Sequence, residues 1–305
     1  MKFLLTLVQR YKFYRAKALS TEKRKKAAEG LTSEQQQVQR AAWLKVDTEM
    51  NLLVEQYEAI NGNILDADRA KDLFPEYAAS LETRRIFLRA VYEPAQQVVD
   101  EVFRRKLKTI KRESYTVVFT AGGPSSGKST LIESLKSTML EALVIMDGTL
   151  SERDRALNNI DLALKAGCNV AVFYLHRPFI EAVNGAIDRA LSRHSGRAVP
   201  MRIIALKHYG AMNTIISLAK HYQAHQRVSL HYLKFCAHNT PFRSSSLGEI
   251  INQRNRSASL DAMTQEAYHL LDERYARAKA TEGGFSQEVY QALRSQAPSF
   301  RRPRR

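Results

Sequence analysis

The chain has 305 residues, of which 44% are hydrophobic and 26% charged, and carries a formal net charge of +16. That length holds one sizeable α/β domain with helical additions, and the composition is that of a globular protein, not a disordered or fibrous one. Apolar runs of six to eight residues argue against a membrane span, and two cysteines without a CxxC pair, Cys168 and Cys236, argue against a disulfide framework or a zinc site.

The opening MKFLLTLVQRYKFYR reads as an amphipathic helix, too short and too charged behind for a secretory signal. A reducing bacterial cytoplasm is therefore the expected location. Residues 1–30 carry nine Lys or Arg, with KRKK at 23–26, and the end reads RRPRR. Such excess calls for anionic partners: nucleotides, nucleotide sugars or nucleic acid. Solvated charge runs explain the two basic ends equally well.

Residues 1–60 look helical throughout, with Trp43, Val46, Met50, Leu53, Tyr57 and Ile60 recurring at three- and four-residue steps. Gly62 breaks this helix ahead of a short strand, NILDA, that ends at Asp66 and Asp68. A long helical stretch over 82–108 follows, with Pro94 a candidate dividing point. YTVVFT (115–120) is a buried strand by its β-branched and aromatic run, followed by a glycine-rich loop and a helix from Lys128 to about Leu140. LVIM (143–146), NVAVFYL (169–175) and RVSLHYLKF (227–235) read as strands, with helices through RALNNIDLALKAG, PFIEAVNGAIDRALS and 200–223 between them. The alternation predicts an α/β protein with a doubly wound parallel sheet, and a glycine-rich loop placed between strand 115–120 and the next helix makes the expected layout P-loop NTPase-like. Three parts are expected: a helical N-terminal extension (1–60), a core (61–242) and a helical, basic C-terminal extension (243–305).

The loop, AGGPSSGKST, contains Gly122-x4-Gly127-Lys128-Ser129. Its glycines let backbone N–H groups turn toward phosphate oxygens, the following helix start adds positive potential, Lys128 reaches the β- and γ-phosphates, and Ser129 offers a magnesium ligand. Gly122, Gly123, Pro124, Ser125, Ser126, Gly127, Lys128, Ser129 and Thr130 are the expected nucleotide contacts, with ATP and Mg2+ as the implied cofactors. Phosphoryl transfer also needs cations on the moving group and a base for the acceptor. Arg189, and Arg197 in the SGRAVP segment, are the cation candidates, with Arg193 a competitor. Asp66, Asp68 and Asp147 all sit at strand ends, where a carboxylate faces the ligand crevice of a parallel sheet. Aspartate there is also a common helix cap.

These residues resemble the zeta toxin family of P-loop kinases. AGGPSSGKST resembles its phosphate loop, LVIMDGT its V-I-E-G-T strand with Asp147 in place of Glu, and NVAVFYLHRP followed by Arg189 and Arg197 its two-arginine region. NILDADRAKDLFPEY resembles the acceptor-site segment, with Asp68 matching the catalytic base and Asp66 the carboxylate two residues before it. RRIFLRAVYEPAQQVVDEVFRRKL resembles the helix that follows, with Glu101 matching a glutamate that contacts the acceptor sugar.

In the family that block comes after the phosphate loop, whereas here it comes before. The implied rearrangement explains why Lys128 and Asp147 are only 19 residues apart. A rival alignment makes LVIMDGT the acceptor strand with Asp147 as the base, but leaves NILDADRAKDLFPEY unexplained.

The resemblance covers roughly residues 62–240 and implies γ-phosphate transfer from ATP to a nucleotide sugar, UDP-N-acetylglucosamine above all, by a toxin or delivered effector. Asp147 and Thr149 would help orient that acceptor. Family antitoxins are helical and block the nucleotide site, so an antitoxin partner is implied, and residues 1–60 are either a built-in inhibitor or an oligomerising or packing element. A nucleic-acid or nucleotide kinase, and a non-catalytic ATP-binding accessory protein, are the other two readings.

Overall fold

The computed structural model describes residues 30–110, 115–134, 141–192, 198–236, 242–256, 259–280 and 285–295. Helix α1 (Ser33–Asn61) opens with a capping box in which Thr32 Oγ1 accepts from Gln35 N and the Gln35 side chain accepts from Thr32 N. Its buried face is Val38, Ala42, Val46, Leu53, Val54 and Tyr57, and these residues belong to the same apolar cluster as the sheet. Trp43 and Met50 pack partly against that cluster, whereas Ile60 lies outside it at 75% exposure. The expected helix face is thus correct except at its last turn. Gly62, at φ 61°, ends the helix in a backbone conformation that favours glycine.

The expected strand at NILDA is shorter: β1 (Ile64–Leu65) stops at Asp66, which becomes the N-cap of a four-residue helix, α2 (Ala67–Ala70). A 3-10 turn (Lys71–Leu73), α3 (Pro75–Ala78) and α4 (Leu81–Phe87) lead to α5 (Tyr92–Lys108). The stretch over 82–108 is therefore two helices, but Pro94 does not divide them. It lies in the first turn of α5, where its missing N–H has no helical acceptor to lose.

The remaining order is β2 (Thr116–Ala121), α6 (Lys128–Ser134), β3 (Val144–Met146), α7 (Arg153–Lys165), β4 (Asn169–His176), α8 (Phe179–Leu191), α9 (Met201–His221), β5 (Val228–Phe235), β6 (Phe242–Ser244), α10 (Leu247–Arg256), α11 (Leu260–Ala280) and α12 (Gln287–Arg294). The strands form one six-stranded sheet in the order β1-β3-β2-β4-β5-β6. All neighbours are parallel except β6, which is antiparallel to β5 and was not expected from the sequence. On one face of the sheet Val117, Phe119, Val144, Met146, Val170 and Val172 join the main core, while Val118 and Ile145 pack with Ile132 of α6 on the other. From the C-terminal segment, Ile250, Met263, Ala267, Leu271 and Leu293 are buried in that main core as well. Among the described residues no helix is long and apolar enough to cross a membrane.

Register brings the ends of β1 and β3 level, with β2 running two residues farther to Ala121. Leu65 of β1 lies opposite Met146 of β3, and Met146 opposite Phe119 of β2. Asp66, Asp147 and Thr120 follow those residues directly. Tyr57 pins the outermost end: its hydroxyl accepts from Asp66 N at 2.7 Å and lies 3.0 and 3.1 Å from the Ile64 and Asp66 carbonyl oxygens, with the ring fully buried. Tyr57→Phe leaves the Asp66 N–H without its partner and should destabilise the protein by about 1–3 kcal/mol in denaturant unfolding. Leu52→Ala on the exposed side of the same helix should stay within about 0.5 kcal/mol.

Candidate nucleotide and acceptor site

The phosphate loop joins β2 to α6. Gly122 and Gly127 have φ of 132° and 96°, and both are needed for space as well as conformation. A Cβ on Gly122 would come 2.4 Å from the Leu175 carbonyl oxygen, and one on Gly127 2.6 Å from the Phe235 ring. Gly123 has no unusual φ, yet its Cβ would lie 2.3 Å from His208 Nδ1. The loop is thus pressed against the ends of β4 and β5 and the second turn of α9. Ser125 takes a left-handed φ of 57°, a strained state for a residue with a side chain. Its carbonyl accepts from Arg177 Nη1 at 2.6 Å, and the Arg177 guanidinium lies over the Phe235 ring at 4.9 Å.

Lys128 Nζ donates to the Gly122 and Gly123 carbonyls at 3.1 and 2.8 Å and contacts Ser126 Oγ at 3.3 Å. The ammonium is therefore held inside the cradle, where a phosphate's negative charge would be met. Ser129 and Thr130, in the first turn of α6, are exposed. Glycines that leave no room for a side chain, a cradled ammonium and exposed hydroxyls at the helix start all fit a nucleotide phosphate group, and Ser129 fits the oxygen-donor chemistry of magnesium.

Asp147 belongs to the same assembly. Its Oδ1 accepts from Thr120 Oγ1 at 2.8 Å, Gly148 N donates back to Thr120 Oγ1 at 3.2 Å, and the Thr149 carbonyl accepts from Gly122 N at 3.2 Å. Asp147 N also donates to Leu65 O at 2.8 Å, so this residue sits between the loop strand and β1. Thr149 Oγ1 donates to Ser151 Oγ at 3.0 Å.

Beyond β3, Asp66 Oδ1 accepts from Asp68 N at 2.8 Å and acts as a helix cap. Asp68 pairs with Lys71, Nζ to Oδ1 at 2.6 Å. Glu101 is engaged along its own helix, with Arg104 at 2.7 Å and Arg105 at 3.0 Å. Its neighbour Asp100 faces Arg155 of α7 and Gln96, and burial pushes its carboxyl above the ordinary range. Arg189 is exposed in the last turn of α8. Arg197 and Arg193 lie outside the described residues.

Sequence reasoning missed four side chains at this edge: Lys71, His176, Arg177 and His208. Arg177 was readable in principle, because it directly follows the last residue of β4 and precedes Pro178. The histidines gave no pattern. Both are buried, at 7% and 2% exposure, and among the described residues no hydrogen bond reaches His176 Nδ1 or either ring nitrogen of His208. Burial, helped by His176 and Lys128, pushes the His208 imidazole down to about 3. Burial and Lys234 push His176 down to about 4, against a smaller opposing effect of Glu249.

Two expectations follow from these contacts. Gly123→Ala should cost at least tenfold in ATP affinity, measured by calorimetry, and Gly123→Ala with His208→Ala should recover part of it. The histidines fold in the neutral form, whereas in the unfolded chain they take up a proton near pH 6.5. Stability is therefore full above that pH and drains away as pH falls toward 4, by about 1.4 kcal/mol per pH unit for each ring. His208→Gln should remove one ring's share of that slope in denaturant titrations at pH 7, 6 and 5.

Residues 140–239, about a third of the chain, match the family model described as Zeta toxin. The match includes Asp147, Thr149, Arg189 and Arg197, while the phosphate loop and NILDADRA precede it. Solved structures that are similar include the following two. One, the crystal structure of AvrRxo1-ORF1:AvrRxo1-ORF2 with sulphate ions, is 11% identical over 64% of this chain and 84% of that chain, with a TM-score of 0.41. The other, the native AvrRxo1-ORF1:-ORF2 complex, is 12% identical over 73% and 93%, also at 0.41. No curated protein sequence is a significant match. The parallel sheet with a glycine-rich loop on its third strand is an α/β fold of the P-loop kinase kind, and residues 140–239 within it are similar to the Zeta toxin family.

Proposed function

We propose that the protein is a magnesium-dependent kinase that moves the γ-phosphate of ATP to a hydroxyl of a nucleotide sugar, UDP-N-acetylglucosamine above all, and acts as a toxin or effector in the bacterial cytoplasm. The observation that carries this reading is the register that puts Asp66, Asp147 and Thr120 side by side across β1, β3 and β2. Neighbouring strands lie about 4.8 Å apart, so β1 and β2 are about 10 Å apart across β3. That gap suits a terminal phosphate and an attacking hydroxyl between the loop and Asp68.

In this mechanism Asp68 takes the hydroxyl proton as the new P–O bond forms and the bond to the β–γ bridging oxygen breaks, releasing ADP. Lys128, Arg189 and Arg197 hold the charge that develops on the transferring group. The loop from Gly122 to Thr130 binds the phosphates through backbone N–H groups. Ser129 would hold the magnesium ion, whose role is to neutralise charge between the β- and γ-phosphates. Asp66, Glu101, Asp147 and Thr149 orient the acceptor, Asp66 by capping the turn that carries Asp68. Residues 33–61 share the core of the sheet, which favours a packing role for this helix over an inhibitory one.

The net charge of +16 supports one rival, a kinase acting on nucleic-acid ends. Its mark is turnover stimulated by RNA or DNA that weakens steeply with salt.

Incubation with labelled ATP and a bacterial metabolite extract should yield one labelled acceptor, identifiable by mass. Lys128→Ala should abolish the transfer. Asp68→Asn should lower it by about a hundredfold or more with ATP affinity within about twofold. An active Asp68→Asn beside a silent Asp147→Asn would move the base to Asp147. ATP binding with no turnover in any extract would leave a non-catalytic nucleotide-binding protein.

A further inference from the structure

We infer that Lys71 is a positioning residue for the acceptor base: it holds the Asp68 carboxylate in one orientation and keeps it ionised. The inference rests on the reading of Asp68 as base.

Lys71 is 2% exposed, the only Lys, Arg, Asp or Glu in the buried class among the described residues. An ammonium costs several kcal/mol to take out of water unless it is paired, and an apolar residue of similar volume would fill the same space at no loss of stability. The segment that carries it is largely buried and apolar, with Ala70, Leu73, Phe74 and Tyr77 all in the core. A lysine here is explained by what it touches. Its Nζ lies 2.6 Å from Asp68 Oδ1 and 5.4 Å from the centre of the Tyr92 ring.

That contact completes a chain of constraints running toward Asp68. Tyr57 fixes the Asp66 backbone, the Asp66 side chain fixes the Asp68 N–H, and Lys71 fixes the Asp68 carboxylate. The spacing is local, since Lys71 follows Asp68 by three residues across the junction of α2 with the 3-10 turn. A cation at this distance favours the carboxylate over the acid. The base is then ready to accept a proton well below neutral pH, and the proton it has accepted leaves readily after transfer.

Carbon-13 NMR of aspartate-labelled protein tests this without knowledge of the acceptor. The Asp68 carboxyl signal is assigned by its loss in Asp68→Asn. In the unmodified protein it should titrate below the ordinary aspartate value of about 3.9. In Lys71→Met it should titrate at least about one pH unit higher, a tenfold change in protonation constant, and in Lys71→Arg it should stay near the unmodified value.

Among the described residues, other charged or titratable groups near this segment include Asp66, Arg69 and Asp72 beside it, Tyr57 and Lys45 from α1, Tyr92 from α5 and Asp147 from the end of β3. All of them remain in both variants, so the difference reads Lys71 alone. With UDP-N-acetylglucosamine as acceptor, Lys71→Met should lower kcat at least tenfold at unchanged KM for ATP, and Lys71→Arg should restore most of it.

An Asp68 signal that does not move in Lys71→Met, or a loss of kcat that only follows a fall in Tm, overturns the assignment. If Lys71→Met does not fold, an ordinary or raised Asp68 titration in the unmodified protein overturns it just as well. Full transfer by Asp68→Asn is a separate result: it removes the base reading, whatever the titration says of Lys71.

Discussion

The phosphate loop can exist only because nothing occupies the Cβ positions of Gly122, Gly123 and Gly127. A carbonyl oxygen of β4, a histidine ring of α9 and a phenylalanine ring of β5 fill those places. Loop conformation and tertiary packing are therefore one constraint, not two. Gly122 and Gly127 also need their positive φ, while Gly123 is glycine for space alone. Packed this tightly, the loop cannot drift relative to the strand ends, and its backbone N–H groups are organised before a nucleotide arrives. Arg177 adds to the fixation by holding the strained Ser125 through its carbonyl.

From that fixed loop the site extends sideways along the sheet. The strand after the loop in sequence, β3, lies directly beside the loop strand, and the strand before it, β1, lies one position farther out. A parallel sheet treats both alike, because each strand ends on the same edge. Sequence order can then change without changing which groups face the crevice. Short strands suffice for this. β1 has only two residues, but Tyr57 and the hydrogen bonds to β3 hold its end in register.

What the sequence made legible was what local chemistry determines. The loop carries its own spacing, the strands their β-branched runs, and α7 its closing glycine, Gly167 at φ 91°. The three-residue β6 escaped notice because so short an edge strand has no periodicity to read. Pro94 misled because a proline in a long helical pattern signals a break, and only the structure reveals a helix start two residues before it. At the site, Asp66 and Asp68 were readable as a pair, but their separate jobs were not: one caps a turn and the other forms an ion pair. Lys71 and His208 were unreadable for a different reason. A single lysine or histidine in a helical stretch is ordinarily a solvated or core residue, and only tertiary contacts set these two apart.

Those contacts also bear on where the fold tolerates cost. Eight polar or charged side chains are buried among the described residues, and six of them, Lys71, Thr120, Ser125, Ser126, His176 and His208, lie at the strand ends, in the segments directly after them or against the loop at Gly123. Burying a polar group is unfavourable, more so without a partner, and His176, His208 and Ser125 keep at least one side-chain atom unpaired. Chance would scatter such groups over both faces and both edges of the sheet. Their concentration on one edge means that the rest of the core, apolar from α1 through α11, supplies stability that this edge consumes. A protein selected for stability alone would fill the same positions with aliphatic residues. The polar edge coincides with the glycine-rich loop and the strand positions that carry Asp66 and Asp147, and so many costly buried groups in one place mark it as the candidate site.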